Sequence, residues 1–407
     1  MIHICYGLCD KKGLYSKFTG TSILSIFENT SAEVTVHILC DNTLSSENLQ
    51  KFQMLAEKYN RQIIFYNVEK TCAKEIEEFK NKIPMLSDSR YTVGCMYRLL
   101  IPKIIPAEIS KIIYLDSDII VNLDINELWQ VDISEKPLAA VAEINIDLKE
   151  LLPGHFVIQK NFVELEDYFN SGVLIINLSD GENWYNKIMD GVNFAAENPQ
   201  CNLFDQDILN YCFSKNYVKL PEKFDVFISV ERIHNPNYDI RRAIYHYIGN
   251  ELNLDVNDKL NCLWLEYFKK TTWFNMQFFL NINNFIQELY DTSQNKLVQI
   301  SAVISGKRRI FFAELVNFEK FKQLFYISKS EEIIDATKFN ALKILLKKMK
   351  KMRGAGFFIL LVRNYSEIQE TLTNAGFIEG IDFVNAADFL SGIHGMPFDS
   401  NLFIRAM

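Results

Sequence analysis

Prolines are scarce in this chain, nine among 407 residues, so no extended Pro-rich spacer separates its parts. The eight cysteines (5, 9, 40, 72, 95, 201, 212 and 262) include no CxxC pair and form no even framework, which reads as buried thiols in a reducing compartment. No stretch of about 18 uncharged apolar residues occurs, which excludes a membrane-spanning helix. The start, Met1 to Gly13, lacks a basic region followed by a long apolar run and is not read as a secretory signal. An excess of positive charge is also missing. With 43 Lys+Arg against 51 Asp+Glu the net charge is −8 and the pI is near 5.5, which disfavours nucleic acid as a partner.

What is present is ordinary globular composition, 48% hydrophobic and 23% charged, which excludes intrinsic disorder. The 31 Phe and 18 Tyr are generous, and such rings serve packing or sugars. The length predicts two or three domains with real cores. The expectation is a soluble, cytoplasmic, multi-domain enzyme.

Short apolar runs alternate with longer segments of helical periodicity. Ile2–Leu8, Val34–Leu39, Gln62–Asn67, Lys111–Leu115, Pro137–Glu143 and Ser171–Leu178 read as strands; Tyr15–Phe27, Ser45–Tyr59, Gly94–Ile105 and Asp205–Phe213 read as helices. This alternation predicts an α/β protein with a mostly parallel sheet. A composition shift follows Trp273, where Phe274–Tyr290 is aromatic, Asn-rich and helical in pattern. The expected division is 1–275, a helical linker 276–295, and a smaller C-terminal α/β domain 296–407. In the last, Lys296–Ser305, Arg309–Val316 and Phe357–Val362 read as strands; Ala336–Met352 and Tyr365–Ala375 read as helices. No GxGxxG is present, so no dinucleotide is assigned there.

The strongest local signal is Asp116-Ser117-Asp118 between the apolar runs Ile112–Leu115 and Ile119–Val121. Ligands of parallel sheets bind at the carboxyl ends of strands. Two carboxylates there are costly unless compensated, and Mg²⁺ or Mn²⁺ would do so while bridging to a diphosphate. The alternative is a solvated Asp-rich turn, and Asp205-Gln206-Asp207 matches the same spacing. On local grounds Asp205 reads as a helix N-cap, Asn170-Ser171-Gly172 as ordinary turn chemistry before a strand, and His246 as a structural histidine.

Taken in order, Tyr114–Val121, Phe169–Leu178, Phe204–Asn210 and Tyr245–Gly249 resemble the retaining glycosyltransferases of family 8, the bacterial lipopolysaccharide galactosyl- and glucosyltransferases and their glycogenin relatives. The start, residues 2–30, and Met96–Pro106 are also similar to that family, so the resemblance covers roughly residues 1–275. It implies a GT-A fold that binds a UDP-hexose, galactose or glucose. Asp116 and Asp118 match the family's metal-binding DXD, and His246 matches its third ligand to Mn²⁺. Arg98, Asn170 and Ser171 match donor-holding positions, with Ser117 inside the DXD and Gly249 beside the diphosphate. Asp205 and Gln206 match the pair that faces the sugar. Because a neutral amide is a poor nucleophile, the resemblance implies a front-side route through an oxocarbenium-like ion pair. The implied acceptor is a glycan, glycolipid or glycoprotein of the bacterial surface.

Two departures stand out. The family's diphosphate-clamping lysine is replaced at Leu252, where Lys259 or a C-terminal lysine is the candidate substitute. At the uridine end the family's Asp-Asp-Asn reads Cys9-Asp10-Lys11, which keeps Asp10 for the base, and Lys11 or Lys12 is the candidate for phosphate. These departures motivate a second reading, a catalytically weak sugar-nucleotide or glycan-binding partner of an active transferase. Lys343–Arg353, basic with Ile344, Leu345 and Leu346 interleaved, reads either as a solvated helix face or as a surface for the inner face of an anionic membrane.

Overall fold

The computed structural model describes residues 1–88, 93–143, 155–201, 203–234, 239–248, 258–275, 277, 280, 307–314, 318, 332–362 and 365–386. The chain divides into two compact units, Met1–Leu252 with Val256–Asn275, and Met276–Ala406.

The first unit is built on β1 (Ile2–Leu8), β2 (Val34–Cys40), β3 (Gln62–Asn67), β4 (Lys111–Leu115), β5 (Ile119–Val121), β6 (Leu138–Ala142), β7 (Phe169–Asn177), β8 (Val218–Lys219), β9 (Val226–Phe227) and β10 (Ile244–His246). Seven of these form one sheet in the order β3-β2-β1-β4-β7-β6-β8. Every neighbouring pair is parallel except those made by β7, which runs antiparallel to both β4 and β6. Helices cover both faces, so β1, β2 and β7 are almost wholly buried and read as continuous apolar runs rather than alternating ones. The principal helices are α1 (Tyr15–Asn29), α2 (Ser46–Lys58), α3 (Gly181–Glu197), α4 (Phe204–Phe213) and α5 (Lys259–Phe268). Ser45 caps α2 by accepting from the Asn48 amide at 3.1 Å, a contact worth about 1 kcal/mol.

A second, three-stranded sheet has the order β5-β10-β9. It is short, yet it brings the chain after β4 against two segments more than 100 residues downstream, and it frames the site.

The second unit holds β11 (Arg308–Ala313), β12 (Glu332–Asp335), β13 (Gly356–Leu361) and β14 (Phe383–Asn385) in a parallel sheet ordered β12-β11-β13-β14. Helices α6 (Ala341–Lys351) and α7 (Tyr365–Asn374) pack their apolar faces on it, with Leu345, Met349, Ile368 and Leu372 in one core with Ile310, Phe358 and Leu360.

Three expectations need correction. Gly94–Ile105 is not one α-helix: Val93–Leu100 is a 3₁₀ run and only Ile101–Ile104 is α. Pro102 stands in the first turn of that short α segment, where its missing N–H leaves no helical bond unmade. Helix α6 begins at Ala341 rather than at 336, because Asp335 folds the intervening residues into a turn by accepting from the Thr337 amide and Asn340 sits at φ +66°. Asp205 is not an N-cap, as the cap position of α4 is Leu203 and Asp205 lies inside the first turn. Lys296–Ser305, almost all of Phe274–Tyr290 and the linker 276–295, Leu252 and Gly249 lie outside the described residues.

Candidate active site

The site is assembled at the carboxyl end of β4. There Asp116 leaves the sheet, its amide donating to the Gly172 carbonyl at 2.8 Å. The chain turns through Asp116-Ser117-Asp118 into β5, and β10 pairs antiparallel with β5 so that His246 stands opposite Ile119, next to Asp118. β9 then pairs with β10, and Asp225 immediately precedes β9. The imidazole Nε2 of His246 lies 3.4 Å from Asp118 Oδ1 and 3.9 Å from Asp116 Oδ2. Its Nδ1 lies 2.9 Å from Asp225 Oδ1, whose side chain is fully buried.

One ligand atom each from Asp116, Asp118 and His246 falls within 4.8 Å of the others. Oxygen and imidazole donors suit a borderline-hard divalent cation. The Nδ1 bond to Asp225 fixes the ring and leaves Nε2 facing the two carboxylates, the arrangement in which a carboxylate orients a metal-binding histidine. The residues therefore fit a cation. Without one, burial acts to lower the pKa of His246, but the Asp225 and Asp118 carboxylates outweigh it and raise it well above the usual imidazole value. Burial raises the pKa of Asp225, against the pull of His246.

A second layer is organised by Arg98, which is 6% exposed. Its Nη2 reaches Asp116 Oδ1 at 2.7 Å, its Nε reaches Asp205 Oδ2 at 3.0 Å, and its Nη1 donates to the Ser171 carbonyl at 2.7 Å and hydroxyl at 3.0 Å. The guanidinium also lies over the Tyr114 ring at 4.5 Å. Arg98 thus serves as the internal counter-ion of two carboxylates, with each of its nitrogens engaged inside the protein. Burial raises the pKa of Asp205 and Arg98 opposes that rise.

The strand β7 supplies Asn170, Ser171 and Gly172. Because β7 is antiparallel to β4, with Val173 opposite Leu115, its beginning meets the end of β4. Gly172 is required here: a Cβ at this position would lie 2.3 Å from His246 Cε1 and 3.0 Å from Asp116 Oδ2. Asn210 locks α4 to the same strand, accepting from the Phe169 amide and donating to the Phe169 carbonyl, both at 2.8 Å. This seats Gln206 beside Asn170 and Ser171, at 3.1 and 3.0 Å. The two aspartates flanking Gln206 diverge, Asp205 to Arg98 and Asp207 to Tyr168, because residues two apart lie on opposed sides of a helix. Asp205-Gln206-Asp207 is therefore not a second carboxylate pair.

Ser117 is buried and bonded to Thr19 of α1 at 2.8 Å. Asp10 is 2% exposed; its Oδ2 accepts from Ser16 and Asn48, while its buried Oδ1 has no hydrogen-bond partner among the described residues. Lys259 is paired with Asp239 at 2.7 Å.

Two members of the site carry no sequence signal. Asp225 and Glu143 sit beside short strands with no motif around them, and pairing of distant strands brings them in. Glu143, 8% exposed, accepts from Gln206 Nε2 at 2.8 Å. Burial, reinforced by Asp225, pushes its carboxyl up to about 8.

Residues 8–251 match the sequence profile of glycosyl transferase family 8, and the chain belongs to that family. It is 33% identical over 200 residues to a candidate glycosyltransferase of Haemophilus influenzae, covering 48% of this chain and 55% of that protein, so the match spans about half the relative's length. It is 26% identical over 262 residues to the lipopolysaccharide 1,3-galactosyltransferase of Salmonella typhimurium, covering 61% of this chain and 71% of that one. The solved structure of the galactosyltransferase LgtC, with donor and acceptor sugar analogues, aligns with a TM-score of 0.53 at 19% identity over 68% of this chain and 99% of that one, which establishes a GT-A fold.

Proposed function

We propose that the protein is a retaining hexosyltransferase that moves galactose or glucose from a UDP-sugar to a glycan, glycolipid or glycoprotein acceptor in bacterial surface-polysaccharide synthesis. The observation that carries this reading is the Asp116, Asp118, His246 triangle, with Asp225 behind the imidazole and the Arg98 network beside it. A binding partner without catalysis has no use for the whole set.

In this reading Asp116, Asp118 and His246 Nε2 would hold Mn²⁺ or Mg²⁺, which would supply positive charge to offset that of a diphosphate leaving group. Arg98 fixes Asp116 and Asp205 relative to each other, so the carboxylates need no rearrangement when the donor arrives. Asn170 and Ser171 orient the hexose. Gln206 faces the reacting carbon. Its neutral amide is a poor nucleophile, so the route is front-side through an oxocarbenium-like ion pair, and the acceptor enters on the face that the leaving group vacates. Asp10 Oδ1, which has no hydrogen-bond partner among the described residues, suits an N–H of the uracil ring.

We further propose that residues 1–275 form the transferase domain and 296–407 an accessory domain. On α6, Ala341, Leu345 and Met349 are buried while Lys343, Ile344, Lys347, Lys350 and Lys351 are exposed. That face supports peripheral attachment to the inner, cytoplasmic face of an anionic membrane through Lys343–Arg353. Among the described residues no helix is long and apolar enough to cross one.

The deciding experiment is UDP release from a panel of UDP-sugars with Mn²⁺ and then with EDTA, in wild type and Asp118→Asn. Turnover of one donor that requires metal and is lost in the correctly folded variant supports the reading. UDP binding that is equal with and without metal in both proteins refutes it.

A further inference from the structure

Gln206 sits in a closed set of partners, Asn170, Ser171, Glu143 and Tyr168, of which Glu143 belongs to no motif. A carboxamide offers one oxygen and two N–H groups, and here all are engaged. Oε1 accepts from the Ser171 amide at 3.0 Å and from Asn170 Nδ2 at 3.1 Å. Nε2 donates to Glu143 Oε2 at 2.8 Å and to the Tyr168 hydroxyl at 3.1 Å. Two of these partners have fixed polarity. A backbone N–H only donates, and Tyr168 commits its proton to Asp207 Oδ1 at 2.9 Å, so its oxygen must accept. A flipped amide would set N–H against N–H at Ser171 and oxygen against oxygen at Tyr168.

Glu143 is built for this contact rather than for stability. Among the described residues it has no cation partner, and a buried carboxyl without one costs the fold more than an apolar side chain of similar size would. The register of β6 against β7 shifts between Ala140 and Ala142, immediately before Glu143, and the Glu143 amide then bonds the Tyr168 carbonyl at 2.9 Å. Irregularities of this kind redirect side chains beside active sites.

We propose that Glu143 is a positioning residue for Gln206: together with the Tyr168–Asp207 pair it holds the carboxamide in one orientation, so that Gln206 meets the donor sugar pre-aligned. This rests on the reading of Gln206 as the residue that faces the sugar.

The test compares Glu143→Leu, which removes the acceptor but keeps the bulk, with Glu143→Gln, which keeps an acceptor oxygen. The expected result is a kcat for metal-dependent donor turnover at least tenfold lower in Glu143→Leu, with donor KM within twofold and thermal stability equal to or above wild type. Glu143→Gln recovers kcat to within about threefold of wild type. A Leu variant with wild-type kcat, or one whose loss of kcat merely follows a loss of stability, overturns the proposal.

A second readout needs no activity. In protein labelled with ¹⁵N-glutamine, the Gln206 side-chain amide, assigned by its disappearance in Gln206→Ala, gives one dispersed and slowly exchanging pair of signals. In Glu143→Leu these move toward free-amide values or split into two sets. Unchanged signals overturn the proposal even if the donor reading stands. A shifted pair in a protein that turns over no UDP-sugar supports the positioning while refuting the donor reading.

Discussion

Replacing Arg98 by methionine tests whether the site is held together by one internal cation. Methionine fills most of the volume of the buried side chain but gives up the contacts to Asp116 at 2.7 Å, Asp205 at 3.0 Å and the Ser171 carbonyl at 2.7 Å. Removing one partner of a buried ion pair leaves the other uncompensated, at a cost of roughly 3–5 kcal/mol. Two carboxylates share this cation, so the upper end of that range applies. In a unit of this size each kcal/mol lowers the melting temperature by roughly 2–4 °C, which gives a fall of about 10–20 °C. The pH dependence fixes the cause. Burial already raises the pKa of Asp205 and Arg98 opposes that, so the variant's Asp205 rises further. A carboxyl whose folded pKa lies above its unfolded value loses stability as pH climbs between the two, and regains it on acidification. The deficit of Arg98→Met should therefore shrink from pH 7.5 to pH 5, and adding Mn²⁺ at pH 7.5 should recover part of it through Asp116. Melting followed by circular dichroism under these conditions is the assay. A variant that melts within 2 °C of wild type at pH 7.5, or whose deficit grows on acidification, refutes the counter-ion account.

Gly172→Ala places a methyl 2.3 Å from His246 Cε1, so the ring must move; Mn²⁺ affinity measured by calorimetry should fall at least tenfold while the fold survives. Asp225→Asn keeps a hydrogen-bonding group at His246 Nδ1 but removes its charge, and Mn²⁺ should bind roughly 10–100-fold more weakly with little change in the far-UV spectrum. The Glu143 carboxyl, pushed up to about 8 by burial, binds its proton more tightly in the folded state than in the unfolded one. Wild type should therefore lose stability relative to Glu143→Gln as pH rises from about 4.5 to 8, with a constant gap beyond; parallel melting curves across that window would be the contrary result.

The inner strands of the main sheet were legible because they are buried and so appear as short unbroken apolar runs between helical segments, and Lys111–Leu115 matches the expected bounds; the half-buried edge strand Gln62–Asn67 matches too, on its Ile63–Tyr66 run. Asp116-Ser117-Asp118 was legible for the same reason, as carboxylates at the end of such a run. What escaped has physical causes. Apolar spacing does not separate a 3₁₀ run from an α-helix, so the 3₁₀ character of residues 93–100 was invisible. Local propensity made Asp205 a cap, whereas pairing with Arg98, 107 positions away in sequence, decides its role. Asp225 and Glu143 follow from strands of two and five residues whose partners are distant, and no local pattern encodes such pairings.

In the proposed reading, the charge distribution bears on how a site with Leu252 where the resemblance implies a lysine would take a diphosphate. Among the described residues, Asp116, Asp118, Asp205 and Asp225 face one guanidinium and one imidazole. Each unit of negative charge brought within 4 Å of an uncompensated carboxylate meets a repulsion of about 4 kcal/mol at an effective dielectric constant near 20. Arg98 cannot relieve it, because its nitrogens are already engaged by Asp116, Asp205 and Ser171. His246 cannot either, because its Nδ1 side is held by Asp225 and its Nε2 side faces the two carboxylates that a diphosphate would approach. In the proposed reading a dipositive ion held by Asp116, Asp118 and His246 would reverse the sign of that surface, and much of the donor's hold on the protein would depend on it.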